Sequence, residues 1–278
     1  MALPRLLLHH RLVLLGFTAP ALTVLGAFFL LPLGHLLLVG ASGPKGLATY
    51  AAILSERAYL GSLGQTMLVS AVTTLMTLLI AGVVGVFLQR NRFAGRGLLL
   101  ALLTFPLAFP GVVVGFMVIM LAGRQGLIGQ VSLWMTGEKL VFAYSMAGLL
   151  MGYVYFSLPR TLLTVMAAAE KLDPKLEEAA RSLGAGTARV TWDVLMPGLK
   201  PALISSGALC FATAMGAFGT AFTLATRINV LPMVIYTEFT LQANMALAAA
   251  LSLILGLVTW GILALARTAT GDSVAAGA

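Results

Sequence analysis

Six long stretches of this chain carry no Asp, Glu, Lys or Arg, and stretches of that kind leave few structural options. They cover residues 12–40, 60–88, 97–121, 140–158, 201–225 and 246–266. A helix crossing the hydrocarbon of a membrane takes roughly 20 mostly apolar residues. In lipid every backbone N–H and C=O must be paired within the protein, so runs of this length form helices. The composition agrees. Only 9% of the 278 residues are charged and 60% are hydrophobic, whereas soluble domains carry about 25% charged residues. The expected fold is an all-α membrane protein with about six transmembrane helices, in a single transmembrane domain over 1–278. The first run is too long for a signal peptide, and no A-x-A cleavage site follows it, so it reads as a retained helix.

The charges lie between the runs, and their bias sets an orientation. With the N-terminus in the cytoplasm, inside segments carry Arg5, Arg11, Arg90, Arg92, Arg96, Arg160, Lys171, Lys175, Arg181, Arg189, Lys200 and Arg267. Outside segments carry Lys45, Arg57, Arg124, Lys139 and Arg227. The excess inside puts both termini in the cytoplasm. The net charge of +8 is explained in this way. No basic stripe interleaved with aromatics is present, which argues against nucleic-acid binding. Cys210, alone and inside an apolar run, can form neither a disulfide within the chain nor a zinc motif. His9, His10 and His35 have no acidic partner in the runs.

Pro106 and Pro110 are expected to kink the third run. Gly111 with Gly115, and Gly148 with Gly152, are small-xxx-small pairs that let helix backbones approach. Segments 123–139 and 226–245 are longer than simple turns, and are expected to lie at the interface or to dip back into the protein. The tail from Thr268 is small and polar and is expected to be disordered.

One segment departs from the pattern. Residues 170–200 hold five of the nine acidic residues: Glu170, Asp173, Glu177, Glu178 and Asp193. Asp173 suits an N-cap and Pro174 the first helical position. Glu177 and Arg181 are spaced to pair on the surface. Leu176, Ala179, Ala180 and Leu183 share one face, and Gly184 supplies a stop. A second short helix is expected from Thr187 to Met196, ended by Pro197 and Gly198. The charge bias places this helix-turn-helix in the cytoplasm, between spans four and five.

Glu178-Ala179-Ala180, then Gly184, then Val194-Leu195-Met196-Pro197, resembles the EAA loop (about 170–197 here) of ABC-importer permeases. Val194 and Met196 depart from the family's Ile and Leu. The resemblance implies a type I importer permease in a bacterial inner membrane. It implies that Glu178, Ala179, Ala180, Gly184 and Pro197 belong to a coupling helix that docks on a separate ATPase. Two ATPase subunits, a second permease (sister or identical) and an extracytoplasmic binding protein are the implied partners. No G-x-x-x-x-G-K-[ST] is present, so ATP is expected on the partner subunits. With no cofactor of its own and no catalytic pair, the chain reads as a non-catalytic subunit.

The stretch Ala217-Phe218-Gly219-Thr220-Ala221, with Leu231-Pro232 and 235–239, looks like the spermidine and putrescine permease group. The resemblance therefore implies a polyamine substrate, with phosphonate, ferric iron, sulfate or thiamine as alternatives. The charges add one weak constraint: no span holds a carboxylate for a polycation, Glu238 is the nearby candidate at the outer end, and Arg227 could equally favour an anion, so selectivity is expected in the binding protein with a permissive pore. A stand-alone secondary transporter and an intramembrane enzyme are the rival classes.

Overall fold

The computed structural model describes residues 16–224 and 228–270, and every regular element among them is helical. Arg5, His9, His10, Arg11 and Arg227 lie outside the described residues, as does the tail beyond Thr270. Six stretches are long and apolar enough to cross a membrane: Gly16–Gly40, Arg57–Arg90, Gly111–Thr136, Met146–Lys171, Thr187–Met215 and Met245–Thr268. In chain order the helices are α1 (Gly16–Gly40), α2 (Ala48–Ser55), α3 (Arg57–Arg90), α4 (Arg96–Ala108), α5 (Gly111–Ala122) and α6 (Leu127–Thr136). They continue as α7 (Met146–Lys171), α8 (Pro174–Ser182), α9 (Thr187–Met215), α10 (Phe218–Leu224), α11 (Leu231–Leu241) and α12 (Met245–Thr270).

Four boundaries differ from the expectation. The 97–121 run is two helices rather than one kinked span. Phe109 and Pro110 are extended, and α5 restarts at Gly111 with Pro110 as its N-cap. Proline disfavours helical backbone at the residue before it and cannot donate to the preceding turn, so the apolar run breaks there. The 140–158 run begins its helix only at Met146, after an extended Ser145, and continues to Lys171. Arg160 is therefore inside a long helix and not in a loop. The 201–225 run belongs to α9 as far as Met215, breaks at Gly216 and Ala217, and resumes as α10. Finally, residues 268–270 are still helical. The segment 123–139 carries α6, and the described part of 226–245 carries α11.

The chain forms two compact units. The first joins residues 1–56 with 235–254. There the Tyr50 hydroxyl donates to the Leu37 carbonyl at 2.9 Å. Buried Glu238 accepts from the Asn244 side-chain amide at 3.4 Å.

The second unit joins 57–234 with 255–278. Its long helix α3 is built inside out relative to a soluble protein. Ser62, Thr66, Val69, Ser70, Thr73, Thr77, Ala81, Gly85 and Leu88 form its buried stripe, at helical spacing. Leu68, Leu75, Leu79 and Val83 are exposed. Lipid accepts large apolar side chains, so the protein interface is left to small ones that let backbones close up. A Cβ on Gly85 would stand 3.0 Å from Val165 Cγ1 of α7.

The glycine pairs take different roles. Gly111 and Gly115 face α10, and Thr220 Oγ1 donates to the Gly111 carbonyl at 3.0 Å. Gly152 also meets Thr220, whose Cγ2 would be 2.7 Å from an added Cβ. Gly148 has another reason to be glycine: its Cβ would collide with the Ala143 carbonyl, 2.2 Å away in the preceding turn. Thus α5, α7 and α10 meet through backbone rather than bulk.

Thr66 links distant parts of this unit. The Leu231 N–H, which begins α11, donates to Thr66 Oγ1 at 2.8 Å, while that hydroxyl donates to the Ser62 carbonyl. Thr66→Val keeps the volume but leaves the Leu231 N–H unpaired. We expect a loss of about 1–3 kcal/mol, the cost of an unsatisfied buried donor. It would be read as earlier thermal loss of the folded fraction in detergent, with Thr66→Ser restoring most of it.

Candidate functional site

The polar segment after α7 forms a capped helix whose local geometry follows from a few residues. Leu172 is extended, and Asp173 follows as the N-cap of α8. Asp173 Oδ1 accepts from the Lys175 N–H at 2.9 Å, and Pro174 occupies the first turn. The far end closes with two bonds: Gly184 N–H to the Arg181 carbonyl at 2.9 Å, and Ala185 N–H to the Ala180 carbonyl at 3.0 Å. That pair is a Schellman closure. It needs a left-handed residue, and Gly184 has φ +85°. Gly184→Val should therefore cost about 1–2 kcal/mol. Faster limited trypsin cleavage at Arg181 and Arg189 in the assembled protein would report the loosened turn.

Of the residues expected to act, Glu178, Ala179 and Gly184 are exposed on α8 and its cap, while Ala180 is half-buried. Leu176 and Leu183 are also displayed, Leu183 at 90% of its full exposure. Pro197 is exposed but lies in a different helix, so it is not part of the α8 surface.

Pro197 also does not end a helix. The chain runs without interruption from Thr187 to Met215 as α9, with a wider π turn at Thr191–Leu195 just before the proline. Proline's ring presses on the carbonyl four residues back and removes one donor. The wider turn accommodates both effects, so the helix passes through. Gly198 is required by packing, because a Cβ there would stand 2.6 Å from Leu172 Cδ2.

Glu177 does not pair with Arg181. It turns inward to Arg90 at the end of α3, with Nη2 2.8 Å from Oε1. The contact is a charge contact rather than an aligned hydrogen bond, since Glu177 Oε1 accepts none. Arg90 Nη2 also donates to the Leu172 carbonyl at 3.1 Å. One guanidinium thus ties the end of α3 to both the approach to α8 and α8 itself. The sequence marked Arg90 only as one of the positive charges of the inside segments. Its partner, 87 positions away by numbering, has no signature in spacing.

The described residues contain no group of His, Cys, Asp and Glu able to hold a metal ion. What the site offers is a capped helix, anchored on one side and open on the other.

A family model for the inner membrane component of binding-protein-dependent transport systems matches residues 78–268. Among curated proteins, the putative 2-aminoethylphosphonate transport system permease protein PhnU of Salmonella typhimurium is 28% identical over 89% of each chain. The sulfate permease CysW of Synechocystis is 29% identical over 76% of this chain and 77% of its own. The molybdenum permease ModB of Escherichia coli is 34% identical over 62% of this chain and 78% of its own. In structure, a chain of a bacterial alginate ABC transporter superposes with a TM-score of 0.80 at 15% identity, covering 94% of this chain and 96% of that one. The fold and these relatives define a multi-pass, non-catalytic membrane subunit of a transporter. The chain belongs to the family of binding-protein-dependent transport system inner membrane components, the permeases of ABC importers, whose partners are an ATPase and a substrate-binding protein.

Proposed function

We propose that this chain forms half of the pathway of an importer for a small oxyanion, and that α8 is the helix on which an ATPase subunit docks. The observation that carries the docking role is α8 itself. It displays Leu176, Glu178, Ala179 and Leu183 outward while Glu177 and Arg90 hold its other side. Apolar side chains displayed beside charged ones at a polar segment fit a protein partner. The small residues let that partner approach the backbone, and the brace passes its movement to α3. Two ATPase subunits, a second permease (identical or sister) and an extracytoplasmic binding protein complete the assembly. In this reading α8 and both termini face the cytoplasm of a bacterial inner membrane.

The substrate reading departs from the polyamine expectation. Two of the relatives are named for sulfate and a phosphonate, both oxyanions. The apolar parts of the long helices carry no carboxylate for a polycation, a pairing that a charge at membrane depth requires. Glu238, the acidic residue of the short apolar helix α11, is engaged by Asn244. Reconstituting the chain with its ATPase, second permease and binding protein in liposomes tests this. ATP-dependent uptake of labelled sulfate or 2-aminoethylphosphonate, with none of spermidine, is expected. Uptake of spermidine alone would restore the polyamine reading.

A further inference from the structure

Arg160 is the one charge between Met146 and Glu170 of α7. Its depth can be estimated. Leu172, which accepts from Arg90 and touches Gly198, marks the polar end of the helix pair. Arg160 lies twelve positions before it, about 18 Å along the helix at 1.5 Å per residue. That is more than halfway across a hydrocarbon core of about 30 Å. An arginine side chain cannot extend its head from that depth to the membrane surface, so the charge must be met inside the protein.

Arg160 is nevertheless exposed in this subunit. Its Nη1 donates to Thr213 Oγ1 of α9 at 3.4 Å. The surroundings are hydroxylic. Ser157, Thr161 and Thr164 of α7, and Ser206 and Thr213 of α9, line one small depression with Arg160. On α7 these residues recur at three, four and seven positions, and on α9 the two hydroxyls are seven apart, so a polar stripe on each helix faces the other. Thr164 and Thr213 donate to carbonyls of their own helices, at 2.9 and 2.7 Å. Of the two only Thr213 meets the guanidinium, which it positions without neutralising, and the other four of the guanidinium's five donors have no hydrogen-bond partner among the described residues.

A second observation places that space. Just beyond Thr213 the backbone leaves helical form at Gly216 and Ala217 before α10 begins. The Ala217 carbonyl is held by the Tyr153 hydroxyl at 2.7 Å, on α7. Irregular backbone at membrane depth occurs only where protein buries it or a water-filled cavity adjoins it. A plain packing seam would explain hydroxyls, but not an exposed charge set beside a broken helix.

The geometry points to Arg160 as a way-station for the transported anion, with the guanidinium replacing part of its hydration shell midway through the pathway. The inference rests on the oxyanion reading, and deepens it to one residue. Thr213 positions the guanidinium, and the second permease subunit supplies the opposite wall.

The test compares wild type with Arg160→Met and Arg160→Lys in the complete transporter in liposomes, with labelled sulfate and 2-aminoethylphosphonate as probes. Methionine matches the length and suits lipid better, so a merely structural arginine would be replaced without loss. We expect Arg160→Met to assemble and hydrolyse ATP while uptake falls roughly tenfold or more, the effect of removing a charged donor. Arg160→Lys should retain most uptake. Wild-type uptake by Arg160→Met, or equal losses in both variants, would overturn the way-station. Wild type importing spermidine and neither anion would instead overturn the oxyanion reading, and the way-station with it. A second measurement does not depend on transport. Arg160→Cys in a Cys210→Ala background should react with an anionic thiosulfonate reagent in the assembled complex. Lack of reaction would place the position against lipid and overturn the inference.

Discussion

Arginine at position 178 should strip the ATPase from this protein while leaving its membrane helices inserted. Glu178 is exposed on α8, its side chain makes no ion pair or hydrogen bond among the described residues, and its backbone carbonyl accepts from the Ser182 hydroxyl. Glu178→Arg changes the local charge by two units on the face proposed to dock the ATPase. Like-charge juxtaposition at an interface costs several kcal/mol, so co-purification of the ATPase should fall by roughly tenfold or more, with ATP-driven uptake lost. The comparison is Glu177→Arg. That substitution puts two arginines together at the α3 brace and should damage the subunit itself, visible as a lower yield of folded protein. Retention of the ATPase by Glu178→Arg at the wild-type level would remove α8 from the interface.

The second large effect is expected where backbones touch. A Cβ at Gly115 would stand 1.7 Å from Thr223 Oγ1, 2.9 Å from Thr223 Cβ and 3.3 Å from the Thr220 carbonyl. A hydroxyl can rotate away, but the Cβ and the carbonyl cannot move without α10. Gly115→Leu should therefore separate α5 from α10 and break the Thr220 bond to Gly111. Overpacking of this kind costs about 1–3 kcal/mol, and a lost buried bond adds about 1 kcal/mol. The expected readout is a large drop in the temperature at which the detergent-solubilised protein loses its single size-exclusion peak. Gly64→Leu is the matched control. It lies exposed on α3 with nothing within 4 Å of an added Cβ, so it should change little.

Several features were legible without coordinates because they are local. The charge-free runs marked helices in lipid, since no other arrangement pairs their backbone. Asp173, Pro174 and Gly184 marked the ends of α8, since capping depends on residues a few positions apart. The order Glu178, Ala179, Ala180, Gly184 marked the family. The breaks in the third and fifth runs were harder to read. Pro106 and Pro110 announced a disturbance, but whether proline kinks, ends or merely perturbs a helix depends on what relieves it. At Pro110 nothing does, and the helix stops; at Pro197 a π turn does, and it continues.

Arg160 shows the same limit from the side of charge. A search for charge-free runs ends a span at the first arginine, and so it counted this residue among the inside segments although the apolar pattern resumes past it. Only the continuity of α7 reveals it in the interior of a long helix. The Arg90 to Glu177 contact and the meeting of Gly115 with Thr223 are likewise invisible in spacing. The sequence by itself determined the solvent of this protein, its helical class and the local form of α8, because hydropathy, backbone pairing and capping act over a few residues. The tertiary structure alone decided which charges are braced and which stands open, because those depend on residues brought together by packing from distant parts of the chain.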